Sequence, residues 1–99
     1  KSVITSMKKS SYLINVSRGT VIDEKALINS LKNNKIKGAA LDVFFNEPKI
    51  NPIFKKLNNV ILHPHHGSGT IETRNAMAQL SCMNLINFFK KGKPLHKVI

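Results

Sequence analysis

The feature that most constrains the fold is an alternation of short apolar segments with helix-forming segments. Three apolar segments are short enough to be strands, and they span residues 12–16, 37–44 and 59–62. Between the first two lies a helix-forming segment, residues 23–34, in which Ala26, Leu27 and Leu31 recur at helical spacing. Short apolar strands that alternate with amphipathic helices are typical of a parallel sheet covered by helices. The sequence therefore predicts an α/β fold.

Two helices carry terminal signals. Asp23 can cap the first, and Glu24 suits its positive amino end. Thr70 can cap a long second helix from Ile71 to Lys91, which Gly92 and Pro94 would end. We expect the second helix to bury its apolar residues, namely Ala76, Met77, Leu80, Met83 and Phe88 or Phe89. Residues 1–9 resemble the end of a further helix. The lone Cys82, among apolar neighbours, is expected in a core.

Three strands are few for a parallel sheet. Both ends of such a sheet would expose unpaired edges or apolar faces, so we expect the chain to be a piece of a larger protein. Since its single cysteine cannot form an internal disulfide, a reducing, cytoplasmic setting is expected. No apolar run reaches the roughly 18 residues of a membrane span, and no segment has the pattern of a signal peptide, so no membrane association is expected.

The chain is strongly basic, with 16 Lys and Arg against 5 Asp and Glu and a net charge of +11. A basic nucleic-acid-binding module is therefore an alternative function. The cations are nevertheless spread along the whole chain, and Arg18 and Arg74 are its only arginines. Because phosphate-reading proteins tend to use Arg as well as Lys, nucleic-acid binding is not the favoured interpretation.

Polar side chains follow each predicted strand directly. The first strand is followed by Ser17-Arg18-Gly19-Thr20, the second by Asp42 and Glu47, and the third by His63, His65 and His66. Ligands of open parallel sheets bind outside the carboxyl ends of the strands, so these residues would share one crevice. Arg can grip a carboxylate, His can exchange a proton, and an acid can hold the His tautomer. This set suits interconversion of a 2-oxo acid and a 2-hydroxy acid.

Four segments resemble motifs of the D-2-hydroxyacid dehydrogenase family, and they occur in the family's order. They are Ile14 to Glu24 (INVSRGTVIDE), Gly38 to Pro48 (GAALDVF followed by EP), Asn59 to His65 (NVILHPH) and Gly67 to Arg74 (GSGTIETR). The last segment is most similar to the glyoxylate/hydroxypyruvate reductase branch. The resemblance covers nearly all 99 residues. It implies the carboxyl-terminal part of a Rossmann-like, doubly wound parallel sheet followed by a long helix.

The resemblance also implies roles for single residues. Arg18 would bind the substrate carboxylate and carbonyl, His65 would be the acid/base, and Glu47 its hydrogen-bonded partner. Asp42 would face the nicotinamide carboxamide of NAD or NADP, with cofactor contacts from Ser17, Arg18, His65 and Gly67. Residues 1–69 would end the dinucleotide-binding domain, and residues 70–99 would return to the substrate domain. The substrate would be a small 2-oxo or D-2-hydroxy acid, and the complete enzyme a homodimer.

Some features depart from the family pattern or favour another site. His63 and His66 stand where Thr or apolar residues are common, and they could alter substrate preference or simply be exposed. No G-x-G-x-x-G segment occurs, so the choice between NAD and NADP stays open, and the fragment alone is expected to be inactive. The segment His63-Pro64-His65-His66 also allows a histidine-rich metal site. No second ligand pair follows at the usual spacing, so no metal is assigned.

Overall fold

The computed structural model describes residues 3–97 as two compact units, one ending at Gly67 and the other beginning at Ser68. The first unit holds three parallel strands and one α-helix: β1 (Tyr12–Asn15), α1 (Glu24–Lys32), β2 (Gly38–Leu41) and β3 (Val60–Leu62). The second holds one helix, α2 (Ile71–Lys91). Three short 3-10 helices, Val3–Ser6, Gly19–Val21 and Phe54–Lys56, complete the described elements. The predicted α/β architecture with a parallel sheet and a long second helix is confirmed.

The sheet has the strand order β1-β2-β3, with β2 in the centre. Leu41, the last residue of β2, lies opposite Asn15 of β1 and Leu62 of β3. All three strands therefore end level with one another at one edge of the sheet. β2 begins with three small residues, Gly38, Ala39 and Ala40, and runs between its two neighbours. A Cβ atom on Gly38 would lie 2.8 Å from the carbonyl oxygen of Asn59, so a side chain at this position would collide with the backbone that leads into β3.

The strands are shorter than the apolar segments predicted. β1 ends at Asn15 rather than Val16 because the Asn15 side chain accepts a hydrogen bond from the N–H of Ser17 (3.1 Å) and donates one to the carbonyl of Arg18 (3.0 Å). These bonds turn the backbone out of the ladder. β2 ends at Leu41 rather than Phe44, although the N–H of Asp42 still donates to the carbonyl of Asn15 (2.9 Å).

The core of the first unit lies between α1 and one face of the sheet. Asp23 caps α1 by accepting the N–H of Ala26 (3.0 Å), and Leu27, Ile28 and Leu31 of α1 are buried. The buried side chains Ile4, Ile36, Ala39, Leu41 and Phe54 join them in one cluster. Ile4 belongs to the 3-10 helix Val3–Ser6, so the described part of the predicted helix end is a 3-10 turn; residues 1 and 2 lie outside the described residues.

The opposite face of the sheet is apolar and, within the first unit, uncovered. Side chains alternate between the two faces along each strand, so Tyr12, Ile14 and Ile61 share the face away from α1. Ile14 is 71% exposed and Ile61 is 70% exposed. We call the surface formed by Tyr12, Ile14 and Ile61 the bare face.

The second unit begins with the predicted cap, since Thr70 Oγ1 accepts the N–H of Thr73 (3.2 Å). Gly92 ends α2 in the left-handed conformation (φ 70°). The expected burial of Met77, Leu80 and Cys82 is wrong, because these side chains are exposed. The remaining residues expected to face inward, namely Ala76, Met83, Phe88 and Phe89, are exposed as well. Among residues 68–97, α2 is the only helix or strand, so the unit contains no second element to pack on them. None of the described helices combines the length and hydrophobicity that crossing a bilayer requires.

Candidate active site

An imidazole–carboxylate pair lies beyond the carboxyl ends of the strands. Nδ1 of His65 lies 2.7 Å from Oε2 of Glu47, and the other carboxylate oxygen, Oε1, accepts the N–H of Phe44 (2.8 Å). The hydrogen bond from His65 lowers the pKa of Glu47 below its ordinary value, and the bond from Phe44 adds to this effect. Glu47 is therefore ionised at neutral pH and accepts the Nδ1 hydrogen of His65. The Nε2 atom is left to exchange a proton with a ligand.

The His65 backbone lies in the left-handed region, with φ of 58°. Non-glycine residues adopt this conformation at a cost of about 1–3 kcal/mol, and such strained residues cluster at functional sites. The His65 N–H donates to the carbonyl of His63 (3.1 Å), so the strained residue sits inside a short turn that follows β3. The side chain of His65 remains about half exposed (48%).

A second carboxylate is buried behind this turn. Asp42 is only 5% exposed, and its Oδ1 atom lies 2.5 Å from Nδ1 of His63 and 2.8 Å from the N–H of His66. Its Oδ2 atom accepts the N–H of Gly67 (2.7 Å). The pKa of Asp42 is lowered to about 2, chiefly by the hydrogen bond from His63 and also by the two backbone bonds, while burial acts in the opposite direction. Asp42 thus binds the chain itself through three donors.

Gly67 is required by the close approach of this carboxylate. A Cβ atom on Gly67 would lie 2.8 Å from Oδ2 of Asp42, which is closer than side chains approach in folded proteins. The residue therefore serves the turn in the structure, and its predicted contact with a cofactor stays a prediction.

The loop after β1 carries Ser17 and Arg18. Asn15 orients this loop through its two side-chain hydrogen bonds, and Nη1 of Arg18 donates to the carbonyl of Ser17 (2.7 Å). A Cβ atom on Gly19 would lie 2.0 Å from the carbonyl carbon of Phe44, so only glycine allows the loop to pack against the segment that leads to Glu47. The positive charge of Arg18 also contributes to the lowered pKa of Glu47.

The structure places the predicted residues Arg18, Glu47 and His65 at one edge of the sheet, but only two of them are in contact. Glu47 and His65 are in direct contact, and both line a cavity of about 380 Å³ with His63, Phe44, Leu62 and Lys55. Arg18 is not among the lining residues. Within residues 3–97, its guanidinium forms no hydrogen bond or ion pair with Glu47 or His65.

The three histidines of the turn do not converge on one point. Two of them bind different carboxylates, and His66 contributes its backbone N–H while its ring lies against the ring of His63 (centroids 6.2 Å apart). Among residues 3–97, no group of three or more His, Cys, Asp or Glu side chains is placed to hold a metal ion. The geometry therefore favours acid/base chemistry over the alternative of a histidine-rich metal site.

Sequence reasoning did not predict the roles that three residues have in building the site: His63, Asn15 and Gly19. The partnership of His63 with Asp42 could have been found from the strand register, because Asp42 and His63 each directly follow a pair of opposed residues, Leu41 and Leu62. A polar residue inside an otherwise apolar strand was the available signal for Asn15. The sequence holds no comparable signal for Gly19, whose role depends on the position of a distant loop.

Comparisons with known proteins identify relatives over the whole chain. Residues 1–67 match the family model described as D-isomer specific 2-hydroxyacid dehydrogenase, NAD binding domain. The chain is 46% identical over 99 residues to 2-ketogluconate reductase of Gluconobacter oxydans, covering 100% of the chain and 32% of that protein.

Solved structures show the same relationship. The NADPH-dependent glyoxylate/hydroxypyruvate reductase of Sinorhizobium meliloti, in complex with NADP and malonate, is 43% identical with a TM-score of 0.83, covering 97% of the chain and 30% of that protein. A glyoxylate reductase of Paecilomyes thermophila is 37% identical with a TM-score of 0.84, covering 96% and 29%. The chain thus spans about 30% of the length of these relatives.

Proposed function

The chain belongs to the D-isomer specific 2-hydroxyacid dehydrogenase family, with residues 1–67 matching its NAD-binding domain, and on this premise we propose that it is part of a reductase of small 2-oxo acids. The complete enzyme would interconvert a 2-oxo acid and a D-2-hydroxy acid with NADH or NADPH. The observation that carries the proposal is the 2.7 Å contact between His65 and Glu47 at the carboxyl edge of a parallel sheet. Glyoxylate and hydroxypyruvate are the first substrates to test, because structural relatives are named for them.

The His65–Glu47 pair supplies and recovers one proton. When the 2-oxo acid is reduced, its carbonyl oxygen gains the proton that Nε2 of His65 releases, and Nδ1 keeps its hydrogen bond to Glu47. In the reverse direction Nε2 takes the hydroxyl proton. Ionised Glu47 accepts the Nδ1 hydrogen and thereby fixes the tautomer, which leaves Nε2 as the ring atom that exchanges the proton.

Arg18 is the proposed group for the substrate carboxylate. Guanidinium binds a carboxylate through two parallel hydrogen bonds, and its fixed charge also polarises a neighbouring carbonyl. Its Nη1 atom is held by the Ser17 carbonyl, which leaves the other N–H groups of the fork for a ligand. This role requires the substrate to lie between Arg18 and His65.

The residues present fit a nicotinamide dinucleotide. An ionised carboxylate has about four acceptor positions, and Asp42 uses three of them on His63, His66 and Gly67. One position remains for an amide N–H such as that of a carboxamide. Bound NAD(P)H supplies the hydride that reduces the carbonyl carbon. Ser17, Arg18, His65 and Gly67 lie at the same sheet edge and are the other proposed contacts.

Membership of the family also leads us to propose domain boundaries and an oligomeric state. We propose that residues 1–69 end the cofactor-binding domain and that residues 70–99 lead into a substrate domain. The observed division between Gly67 and Ser68 is compatible with this boundary. We further propose that the complete enzyme is a homodimer, which light scattering of the full-length protein would test.

The decisive experiment measures reduction by the full-length enzyme. Glyoxylate, hydroxypyruvate and 2-ketogluconate are each offered with NADH and with NADPH while the loss of absorbance of the reduced cofactor is followed. We expect turnover of at least one 2-oxo acid, and we expect the His65→Gln variant to lower kcat by a factor of about 100 or more. His96→Gln, an exposed histidine of the second unit, is the matched control. Absence of turnover, or an active His65→Gln enzyme, would overturn the proposal.

A further inference from the structure

We propose that Asp42 and His63 form a positioning pair that fixes the turn carrying His65; this inference rests on the function proposed above. Asp42 follows β2 and His63 follows β3, so the pair joins the ends of two neighbouring strands. Neither residue is needed for the proton step itself. Their contribution is to hold the backbone from which the acid/base residue projects.

The carboxylate of Asp42 binds the turn on both sides of His65. The side chain of His63 donates from the residues before His65, and the N–H groups of His66 and Gly67 donate from the residues after it. The turn therefore wraps around one buried anion. Because His65 itself adopts the left-handed conformation (φ 58°), its geometry must be maintained by its surroundings.

His63 is the donor whose contribution depends on residue identity. Backbone N–H groups are supplied by almost any residue, whereas only particular side chains can donate at the position of Nδ1. The His63 side chain is 56% exposed and that of Asp42 is 6% exposed, so the ring lies between a buried charge and solvent. A buried carboxylate without such a partner is costly, and the usual response is for it to take up a proton.

His63 is the titratable side chain that contacts Asp42, and the His66 ring in turn contacts the His63 ring. The hydrogen bond from His63 is also the largest cause that keeps the pKa of Asp42 low. Loss of the His63 donor would therefore raise the pKa of Asp42, and the turn would lose its anion at a higher pH.

The test compares three substitutions of His63 in the full-length enzyme. Leu removes the donor. Asn places its amide nitrogen close to where Nδ1 lies, whereas the longer Gln side chain places its amide farther out. We expect His63→Leu and His63→Gln to lower kcat about 10–100-fold, as a misplaced catalytic group does, with KM changed less than threefold. His63→Asn should recover most of kcat, and His96→Leu should stay within about twofold of wild type.

A second readout follows the turn without any assay of activity. The amide proton shifts of His66 and Gly67 in NMR spectra report the charge of the carboxylate that they bind. In the wild type they should stay constant from about pH 5, which is below the ordinary range of histidine titration, to about pH 3, because the pKa of Asp42 is about 2. In His63→Leu they should titrate inside this range, and in His63→Asn they should titrate less.

The outcomes separate this inference from the proposed function. If the Leu and Gln variants keep both the wild-type kcat and constant amide shifts, His63 does not position the turn. If the Leu variant does not fold, the Asn and Gln pair gives the same comparison with two polar side chains. If the wild type reduces no 2-oxo acid, the proposed function fails while the amide titrations still decide whether the pair orders the turn.

Discussion

The turn after β3 contributes to two imidazole–carboxylate pairs, His65 with Glu47 and His63 with Asp42, which differ mainly in the exposure of the carboxylate. His65 and Glu47 are partly exposed, and Asp42 behind His63 is buried. An open pair can exchange protons with a ligand and solvent, which suits an acid/base. A buried anion whose oxygens bind three donors makes the chain around it rigid, which suits a fixed support. The same two residue types thus take different tasks because of where the turn after β3 places them.

At the residue scale, Glu47→Gln tests the acid/base pair. Glu47 is ionised, because the hydrogen bond from His65 keeps the pKa of Glu47 below its ordinary value, and its Oε2 atom lies 2.7 Å from Nδ1 of His65. The proposed reduction needs a proton on His65. Removing the Glu47 charge should therefore move the basic limb of the reduction rate to lower pH and extend oxidation toward lower pH. Rate profiles of wild type and variant against pH, measured in both directions, check this expectation.

The matched control for that prediction is Glu72→Gln, an exposed acid in the first turn of α2. It should leave both limbs in place. If Glu47→Gln slows the reaction without moving either limb, Glu47 acts through position alone and its charge is unimportant.

Arg18→Lys tests the proposed carboxylate contact. Lys keeps the positive charge but loses the planar fork that binds a carboxylate through two hydrogen bonds. We expect kcat/KM to fall by a factor that corresponds to about 1.5–3 kcal/mol of transition-state binding. Steady-state kinetics with the best 2-oxo acid give the value. A change of less than twofold would remove Arg18 from the substrate contacts.

The sequence predicted that Arg18, Glu47 and His65 would lie at one edge of the sheet. This prediction requires only the rule that parallel strands present their carboxyl ends at the same edge. The structure places all three there, and their roles remain proposals. The hydrogen bonds of Asp42 were not predictable in the same way. They depend on a left-handed backbone at His65 and on the absence of a side chain at Gly67, and both follow from how the turn packs rather than from any pattern of residue types.

At the scale of elements, α1 and the strands show how local chemistry sets boundaries. Asp23 and Thr70 were predicted as caps, and both accept the expected backbone N–H groups. The ends of β1 and β2 were predicted too far along the chain, because apolar residues such as Val16 and Val43 continue past them, whereas β3 ends at Leu62 as predicted. The apolar pattern therefore located each strand, and at β1 the side-chain hydrogen bonds of Asn15 determine where the strand stops.

The helix α1 contains one unfavourable group that a substitution can remove. The Ser30 hydroxyl is buried, and no hydrogen-bond partner for it exists among residues 3–97. A buried polar group without a partner costs about 1–3 kcal/mol. We expect Ser30→Ala to raise the melting temperature of the full-length enzyme by about 2–4 °C for each kcal/mol removed, since Ala also favours helices.

Ser81→Ala is the comparison for that measurement. Its hydroxyl donates to the carbonyl of Met77 (3.0 Å) on exposed α2, so its removal should change the melting temperature by less than that of Ser30. A decrease in the melting temperature of Ser30→Ala would show that the hydroxyl has a partner that stabilises α1.

At the scale of the whole molecule, the bare face of the sheet governs how the 99-residue chain behaves alone. Parallel sheets are normally covered on both faces, yet Tyr12, Ile14 and Ile61 are exposed. We expect the isolated chain to self-associate and to lack reductase activity. Size-exclusion chromatography with light scattering measures the first expectation, and the cofactor assay measures the second.

Charged substitutions on the bare face provide the control. Ile14→Lys and Ile61→Lys should each shift the isolated chain toward monomer, because a lysine opposes burial of the face. A wild-type chain that is monomeric, or one that reduces glyoxylate at an enzyme-like rate, would contradict the expectation.

The level ends of the strands have a consequence for how such a chain can change during evolution. Asp42 meets His63 because the residues before them, Leu41 and Leu62, are paired across the sheet. The number of residues between the two strands does not enter that relationship. Insertions or deletions in the outer part of the segment 49–58 would leave this contact in place, whereas a shift of β3 by a single residue against β2 would break it. Lineages can therefore lengthen or shorten that connection while the strand register preserves the turn that presents His65.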